Sequence, residues 1–116
     1  MVDDDAEACK ALVRLFERAG HVAHCVFGGG EALEVLQNVK FKLVLLDLRM
    51  PGIGGMEVLR AMRSDGEALR RTPVVIVSAE GSGPAVEAAL EAGADDYVHK
   101  PVRWGNLYQR VQSYLQ

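Results

Sequence analysis

The sequence predicts an α/β fold in which a parallel sheet is covered by helices on both faces. Short apolar runs that are typical of buried strands alternate along the chain with segments of helical periodicity. Polar residues follow several of these runs directly, at positions where the carboxyl ends of parallel strands share one edge of a sheet. Neither a repeat nor a linker interrupts the 116 residues, so we expect one domain over residues 1–116.

The individual elements follow from local patterns. Apolar residues at helical spacing from Ala8 to Ala19 predict a first helix, which ends at Gly20 because glycine readily adopts a left-handed cap. The run 41–48 is apolar enough for a strand that is buried on both faces. The other predicted elements are strands at about 22–27, 73–77 and 96–99, helices at about 31–37, 55–62 and 83–91, and a last helix that carries Leu107 and Val111. A loop is expected through Asp65-Gly66.

Composition and charge exclude several classes of protein. The longest apolar run, from Leu43 to Leu46, is far shorter than the ~20 residues of a membrane span, and the acidic start is unlike a signal peptide. We therefore expect a cytoplasmic protein without a membrane partner. A net charge of -3 with dispersed arginines argues against direct binding of nucleic acid. Cys9 and Cys25 lack a CxxC spacing, so we expect reduced thiols that pack as small apolar side chains.

Chemically complementary side chains follow four of the predicted strands. These residues are Asp3, Asp4 and Asp5 after a short first strand at the N-terminus, Asp47 in the run 41–48, Ser78 after the strand at 73–77 and Lys100 after the strand at 96–99. Taken singly, each has an ordinary structural explanation, since aspartates cap helices, serine satisfies loop backbone and lysine is a common surface charge. A carboxylate after the apolar residues 43–46 is different, because its burial is costly unless a cation or hydrogen-bond donors compensate. Together, these positions favour a functional site at one edge of the sheet.

Phosphoryl transfer to a carboxylate is the chemistry that fits these residues. Crowded carboxylates repel one another, and a hard dication such as Mg²⁺ relieves the repulsion by binding their oxygens. Asp47 would act as the nucleophile and form an acyl phosphate. Mg²⁺, Lys100 and Ser78 would meet the charge that spreads over the phosphoryl oxygens in the transition state.

Four segments of the chain resemble the receiver domain of bacterial two-component response regulators. They are residues 2–5 (VDDD), 45–52 (LLDLRMPG), 75–79 (VIVSA) and 93–101 (GADDYVHKP). The segments stand in the family's order and at matching separations, and the resemblance covers essentially the whole chain. It implies a flavodoxin-like, doubly wound (βα)5 fold with a five-stranded parallel sheet in the order 2-1-3-4-5.

The resemblance also implies a function. Asp47 would accept a phosphoryl group from the phosphohistidine of a sensor histidine kinase, in a reaction that requires Mg²⁺. The chain would be a signalling switch rather than an enzyme, since it would catalyse only its own phosphorylation and dephosphorylation. The implied Mg²⁺ ligands are Asp4, Asp47, the backbone carbonyl of Arg49 and, through water, Asp3.

Further roles carry over around the site. Ser78 and Lys100 would bind phosphoryl oxygens, and Ser78 and Tyr97 would be the switch residues. Their movement would reshape the face formed by the fourth helix, the fifth strand and the fifth helix, and so control a homodimer or an output domain. Arg49 and Glu80 would modulate the lifetime of the acyl phosphate, because Arg49 would either shield the phosphoryl group or pair with Glu80.

The beginning of the chain departs from the family. Members carry several apolar residues before the acidic pair, whereas only Met1 and Val2 precede it here. The sequence therefore predicts five helices but only four full strands, with a truncated first strand. The neighbouring strands would keep unpaired backbone groups at about 1 to 3 kcal/mol each, so we expect low stability.

Two alternative functions stay open on the sequence. A phosphatase or phosphotransferase of the haloacid dehalogenase type also uses an aspartate nucleophile, but it needs a second acid two residues later, where Arg49 stands. A degenerate receiver would act only as a docking or dimerisation module. Such a degenerate domain would lack Asp47, Lys100 or the acidic pair Asp3 and Asp4, and all of these residues are present here.

Overall fold

Three parallel strands with helices on both faces make up the described part of the chain, residues 1–64 and 66–116 of the computed structural model. The strands are β1 (Val44–Leu46), β2 (Val74–Ser78) and β3 (Asp96–His99). The helices are α1 (Ala6–Arg18), α2 (Gly29–Asn38), α3 (Gly55–Ser64), α4 (Glu67–Arg71), α5 (Gly83–Glu91) and α6 (Trp104–Val111), and a 3₁₀ turn follows at Gln112–Leu115. This alternation of helices with parallel strands is the one that the sequence pattern predicts.

A bridge residue near the N-terminus extends the sheet beyond β1. The strands lie in the order β1-β2-β3, with Leu46 opposite Ile76. Val2 lies between Val26 and Leu46 and forms a parallel bridge with each of them. The spatial order from Val26 through Val2 to β3 is therefore the order 2-1-3-4-5 of a flavodoxin-like, doubly wound fold, and the predicted fold class is confirmed.

Two of the predicted strands are shorter than expected. The strand predicted at 41–48 covers only Val44–Leu46, and the strand predicted at 22–27 is reduced to the bridge at Val26. Val26 donates its backbone N–H to the carbonyl of Met1 (2.9 Å) and accepts a hydrogen bond from the Asp3 N–H (3.0 Å). A strand forms only where a neighbour supplies a ladder. In this segment Val26 carries the bridge to Val2, and residues 22–25 stay outside strand structure.

Helix α1 begins directly after the acidic run because Asp5 caps it. The Asp5 carboxylate accepts a hydrogen bond from the Ala8 N–H (3.1 Å), which satisfies one of the free donors of the first turn. Cys9, Leu12 and Phe16 form the buried face of the helix. α1 has 13 residues, and no helix within the described ranges has both the length and the apolar character that a bilayer crossing requires.

The apolar side chains of the sheet alternate between two helical layers. Leu45 and Val75 belong to a buried cluster with side chains of α1 and α6. Leu46 and Ile76 point to the opposite face and join a cluster with side chains of α2, α3 and α5. Burial of each Val, Leu or Ile side chain stabilises the fold by about 1.5 to 3 kcal/mol, so both faces of the sheet contribute to the core.

A short helix, α4, lies in the region where a loop was predicted. Asp65 falls outside the described residues, and α4 covers Glu67–Arg71. A helix of this length is not stable alone and depends on tertiary contacts. Arg63, near the end of α3, supplies them by donating to the carbonyls of Leu69 (3.1 Å) and Thr72 (2.8 Å).

Candidate functional site

The carboxyl ends of the strands bring predicted site residues to one edge of the sheet. Asp47 follows β1, Ser78 ends β2, Lys100 follows β3, and Asp3 follows Val2. The Lys100 ammonium donates hydrogen bonds to the carboxylates of Asp3 (2.7 Å) and Asp47 (2.8 Å). One cation therefore joins two acids that come from different parts of the sheet.

The two carboxylates that Lys100 joins are almost completely buried. Asp3 is 1% exposed and Asp47 is 6% exposed. Burial raises the pKa of Asp3 above its ordinary value, although hydrogen bonds from Lys100 and from the Asp5 N–H act in the opposite direction. Burial also acts to lower the pKa of Lys100, but the hydrogen bonds to its two carboxylate partners outweigh this effect and raise it. The lysine thus stays a cation, and its single charge does not fully compensate two buried acids.

A third carboxylate completes an acidic cluster at this edge. Asp3, Asp4 and Asp47 each place a carboxylate oxygen within 4.8 Å of the others. These ligand atoms are all hard oxygens, which suit Mg²⁺ better than metals that prefer nitrogen or sulfur. Asp4 is exposed, whereas its two neighbours are buried, so the cluster opens to solvent on one side. The residues therefore fit a Mg²⁺ ion.

The backbone on both sides of Asp47 is held in place. The Asp47 carboxylate accepts a hydrogen bond from the Arg49 N–H (3.1 Å), which fixes the first turn of the following loop. The start of helix α3 packs closely against the backbone of Asp47, and this is possible because Gly55 has no side chain. A Cβ atom at Gly55 would lie 2.1 Å from the Asp47 carbonyl oxygen. Gly55 was not predicted from the sequence, although a glycine at the start of the helix that follows the acid is a signal for such a close approach. The role of the Arg49 carbonyl as a metal ligand stays a prediction.

A second group of contacts centres on Glu80 at the rim of the site. Its carboxylate forms an ion pair with the Arg49 guanidinium, which lowers the pKa of Glu80. Its backbone carbonyl accepts a hydrogen bond from the Tyr97 hydroxyl, and its backbone N–H donates to the Ser78 hydroxyl (3.2 Å). The Arg49 side chain is 74% exposed, so the ion pair lies on the solvent side of the site. Of the two arrangements left open for Arg49, the structure has the pair with Glu80.

The two predicted switch residues both lie inside the protein. Tyr97 is 5% exposed and its ring centroid lies 5.2 Å from that of His99, while Ser78 is fully buried. Burial raises the pKa of the Tyr97 hydroxyl, and hydrogen bonding with Ser78 offsets this rise only in part. Both side chains contact the backbone of Glu80. Their movement on phosphorylation stays a prediction.

Asp3→Asn is expected to stabilise the fold at neutral pH in EDTA, by on the order of 1 kcal/mol, because it removes a buried charge that Lys100 does not fully compensate. The folded-state pKa of Asp3 is raised above the ordinary value of 3.8, so the parent gains stability as the pH falls through the folded pKa. That gain is complete below the unfolded value. The advantage of the variant should therefore shrink in acid, which urea titrations at neutral and acidic pH will measure.

The exposed acid Glu17 offers a matched control on the far end of α1. Glu17→Gln is expected to change the urea midpoint little at neutral pH. An Asp3→Asn variant that is less stable than the parent at neutral pH would contradict the account of the buried charge.

A family of known proteins matches nearly the whole chain. The response regulator receiver domain family matches residues 1–112. The sensory/regulatory protein RpfC of Xanthomonas campestris pv. campestris is 38% identical over 104 residues, which are 88% of this chain and 14% of that protein. The DNA-binding response regulator MtrA of Mycolicibacterium paratuberculosis is 34% identical over 116 residues, which are 100% of this chain and 50% of that protein. The chain thus spans half or less of the length of these two relatives.

A solved structure shares the fold over nearly the whole length. The Francisella response regulator 1452 receiver domain has a TM-score of 0.89 and 30% sequence identity to this protein, and the match covers 97% of this chain and 91% of that chain. The family match also includes every predicted site residue, from Asp3 to Lys100. The chain therefore belongs to the response regulator receiver domain family.

Proposed function

We propose that the chain is a Mg²⁺-dependent signalling switch that accepts a phosphoryl group on Asp47 from the phosphohistidine of a sensor histidine kinase. The observation that carries the proposal is the pair of hydrogen bonds from Lys100 to Asp3 and Asp47, beside the third acid, Asp4. A cation that is held between two buried acids can meet the negative charge of an arriving phosphoryl group. Membership of the receiver family supports the same function.

The proposed chemical step is a displacement at phosphorus. A carboxylate oxygen of Asp47 forms a bond to phosphorus while the P–N bond of phosphohistidine breaks, and the imidazole leaves with that electron pair and takes up a proton. Lys100 exchanges a carboxylate partner for a phosphoryl oxygen, and the Ser78 hydroxyl donates to another oxygen. When bound, Mg²⁺ would supply further positive charge to the phosphoryl group. Its proposed ligands are Asp4, Asp47, the backbone carbonyl of Arg49 and, through water, Asp3.

Formation of the acyl phosphate is proposed to change the conformation of the α5–β3–α6 face, the surface that these three elements form. They are the fourth helix, fifth strand and fifth helix of the sequence prediction. Ser78 and Tyr97 both bind the backbone of Glu80, and the chain from Glu80 leads directly into α5. If Ser78 turns toward the phosphoryl group, it releases the Glu80 N–H, and the change reaches Tyr97 through the same residue. The face then forms a homodimer or binds an output domain.

Both relatives are much longer than this chain, which matches 14% of one and 50% of the other. One relative is described as a sensory/regulatory protein and the other as a DNA-binding response regulator. We therefore propose an output domain, rather than nucleic acid or a membrane, as the direct contact of the α5–β3–α6 face. The phosphoryl exchange is proposed to take place in the cytoplasm.

Phosphorylation by a small donor tests the proposed function directly. With acetyl phosphate and Mg²⁺, the intact mass is expected to increase by one phosphoryl group, and EDTA is expected to abolish the increase. Beryllofluoride with Mg²⁺ is expected to change the environment of Tyr97, measured by its fluorescence or NMR signals. A chain that neither gains a phosphoryl group nor responds to beryllofluoride would favour a docking module instead.

Arg49→Ala is expected to shorten the lifetime of the acyl phosphate by about threefold to tenfold, which corresponds to about 1 kcal/mol in activation free energy. The Arg49–Glu80 pair lies on the solvent side of Asp47, and its loss gives water freer access to phosphorus. Glu80→Gln is expected to act in the same direction because it releases Arg49. The decay of the phosphorylated mass after removal of the donor measures both lifetimes.

Arg14 provides a matched control, because it is an exposed arginine on α1, outside the α5–β3–α6 face. Arg14→Ala is expected to leave the decay rate unchanged, and none of the three variants should lose more than about 1 kcal/mol of stability. Equal lifetimes in the parent, Arg49→Ala and Glu80→Gln would show that the pair does not control access of water.

A further inference from the structure

Two thiols lie together where α1 packs against the segment before Val26. Cys9 is fully buried and Cys25 is half-buried, and both are free thiols. The Cys9 thiol donates a hydrogen bond to the Met1 carbonyl oxygen (3.4 Å), and the same oxygen accepts the Val26 N–H (2.9 Å). The Cys9 sulfur and the backbone that directly follows Cys25 therefore share one acceptor atom.

The raised pKa of Cys9 is consistent with Cys25 as a neighbour of this thiol. Burial is the main cause that raises the pKa of Cys9 to about 12, and the Cys25 thiol adds to the rise as a hydrogen-bonding and electrostatic neighbour. The sequence predicts two reduced thiols, and no CxxC spacing links them. They are brought near each other by the sheet bridge between Val2 and Val26, which places the start of α1 beside residue 25.

We propose that Cys9 and Cys25 form a redox modification site that closes to an intramolecular disulfide on reaction with small-molecule disulfides such as oxidised glutathione. The Cys25 thiolate attacks one glutathione sulfur, which forms a mixed disulfide and releases one glutathione thiolate. The Cys9 thiolate then attacks the Cys25 sulfur and releases the second glutathione thiolate. The two protein thiols lose two electrons and two protons, and the two glutathione thiols gain them.

The different exposure of the two thiols assigns the order of these steps. A small disulfide in solution can reach the half-buried Cys25, whereas Cys9 is enclosed and is mostly protonated at neutral pH. Cys25 is therefore the thiol that meets the oxidant, and Cys9 is the thiol that resolves the mixed disulfide. The second step is intramolecular, so the closeness of Cys9 offsets its low thiolate fraction.

The disulfide would connect α1 to the segment that supports Asp3. The Val26 carbonyl accepts the Asp3 N–H (3.0 Å), and Cys25 precedes Val26 directly. The closed loop would run from residue 9 to residue 25. Such a cross-link reduces the conformational freedom of the unfolded chain and is expected to raise the melting temperature.

The test is reaction of the reduced, purified chain with oxidised glutathione. The intact mass of the parent is expected to fall by two hydrogen atoms, peptide mapping is expected to link Cys9 to Cys25, and the melting temperature is expected to rise by several degrees. Cys9→Ala is expected to stop at the mixed disulfide, with a gain of one glutathione on Cys25. Cys25→Ser is expected to stay unmodified, because its remaining thiol is enclosed.

Three results would overturn the proposal. They are a parent that stays reduced, a parent that accumulates glutathione on Cys25 without closing, and a disulfide that links two chains. These outcomes are read on the parent itself, so they decide the question even if the Cys9→Ala variant folds poorly. A melting curve of each variant, measured in buffer without a thiol reductant, serves as the control for folding.

Discussion

Asp47→Asn is expected to reduce phosphorylation by acetyl phosphate and Mg²⁺ at least about a thousandfold. An amide oxygen is a far weaker nucleophile than a carboxylate oxygen, and removal of a nucleophile typically eliminates nearly all of the catalysed reaction. The amide has nearly the same shape as the carboxylate, and its oxygen can still accept the Arg49 N–H (3.1 Å). Lys100 retains Asp3 as a partner (2.7 Å), so the fold should survive.

Intact-mass spectrometry after a fixed incubation measures this loss, and a melting curve shows that the variant is folded. Glu34→Gln is a suitable control, because it also exchanges an acid for its amide but lies exposed on α2. It should be phosphorylated at the rate of the parent. If Asp47→Asn gains a phosphoryl group as quickly as the parent does, the acceptor is another residue and the central proposal fails.

Lys100→Met is expected to lower the free energy of unfolding in EDTA by about 2 to 4 kcal/mol. The substitution leaves Asp3 and Asp47 buried without the cation that now hydrogen-bonds to both, and an uncompensated buried charge is strongly destabilising. The lysine side chain is 26% exposed, so water compensates part of the loss. This is the largest stability effect that we expect from a single substitution at the site.

Urea denaturation of the parent and three variants distinguishes the loss of this interaction from nonspecific destabilisation of the fold. Lys100→Arg keeps the positive charge and should lose less stability than Lys100→Met. The double variant Asp3→Asn with Lys100→Met should recover part of the loss, because one of the two buried charges is then absent. A Lys100→Met chain as stable as the parent, or a double variant without recovery, would show that the lysine does not compensate the acids.

The bounds of helices and strands were predicted well where residues at both ends of an element, such as glycine or proline, mark its limits. Helix Gly83–Glu91 and strand Asp96–His99 have the predicted bounds. Gly93, with a positive φ of 110°, separates them, and Pro101 follows the strand. The positions of Asp47 and Lys100 at strand ends were predicted for the same reason, since an apolar run that stops at a charged residue marks the edge of a sheet.

The parts that were missed depend on contacts between distant residues. Residues 22–25 have an acceptable strand sequence but stay outside strand structure, because pairing with the first strand, which was predicted to be truncated, is limited to the bridge at Val26. Arg63 resembles an ordinary basic residue at a helix end, yet it also donates to the Gly93 carbonyl (2.9 Å) and pairs with Asp95 (3.2 Å). The proximity of Cys9 to the backbone that follows Cys25 likewise results from the sheet bridge and not from sequence spacing.

The bridge at Val2 has a consequence for local unfolding. Val2 bonds to β1 through the Leu45 carbonyl (2.8 Å) and the Asp47 N–H (2.9 Å), and Asp3 bonds to Val26 on its other side (3.0 Å). Because these few backbone hydrogen bonds hold Val2 and Asp3, whereas β1, β2 and β3 pair along their lengths, we expect the amides of Val2, Asp3 and Val26 to exchange hydrogen faster than those of the three strands. A cation bound as proposed by Asp3, Asp4 and Asp47 would connect the two sides of this bridge. Its binding would therefore also slow the local opening of the bridge.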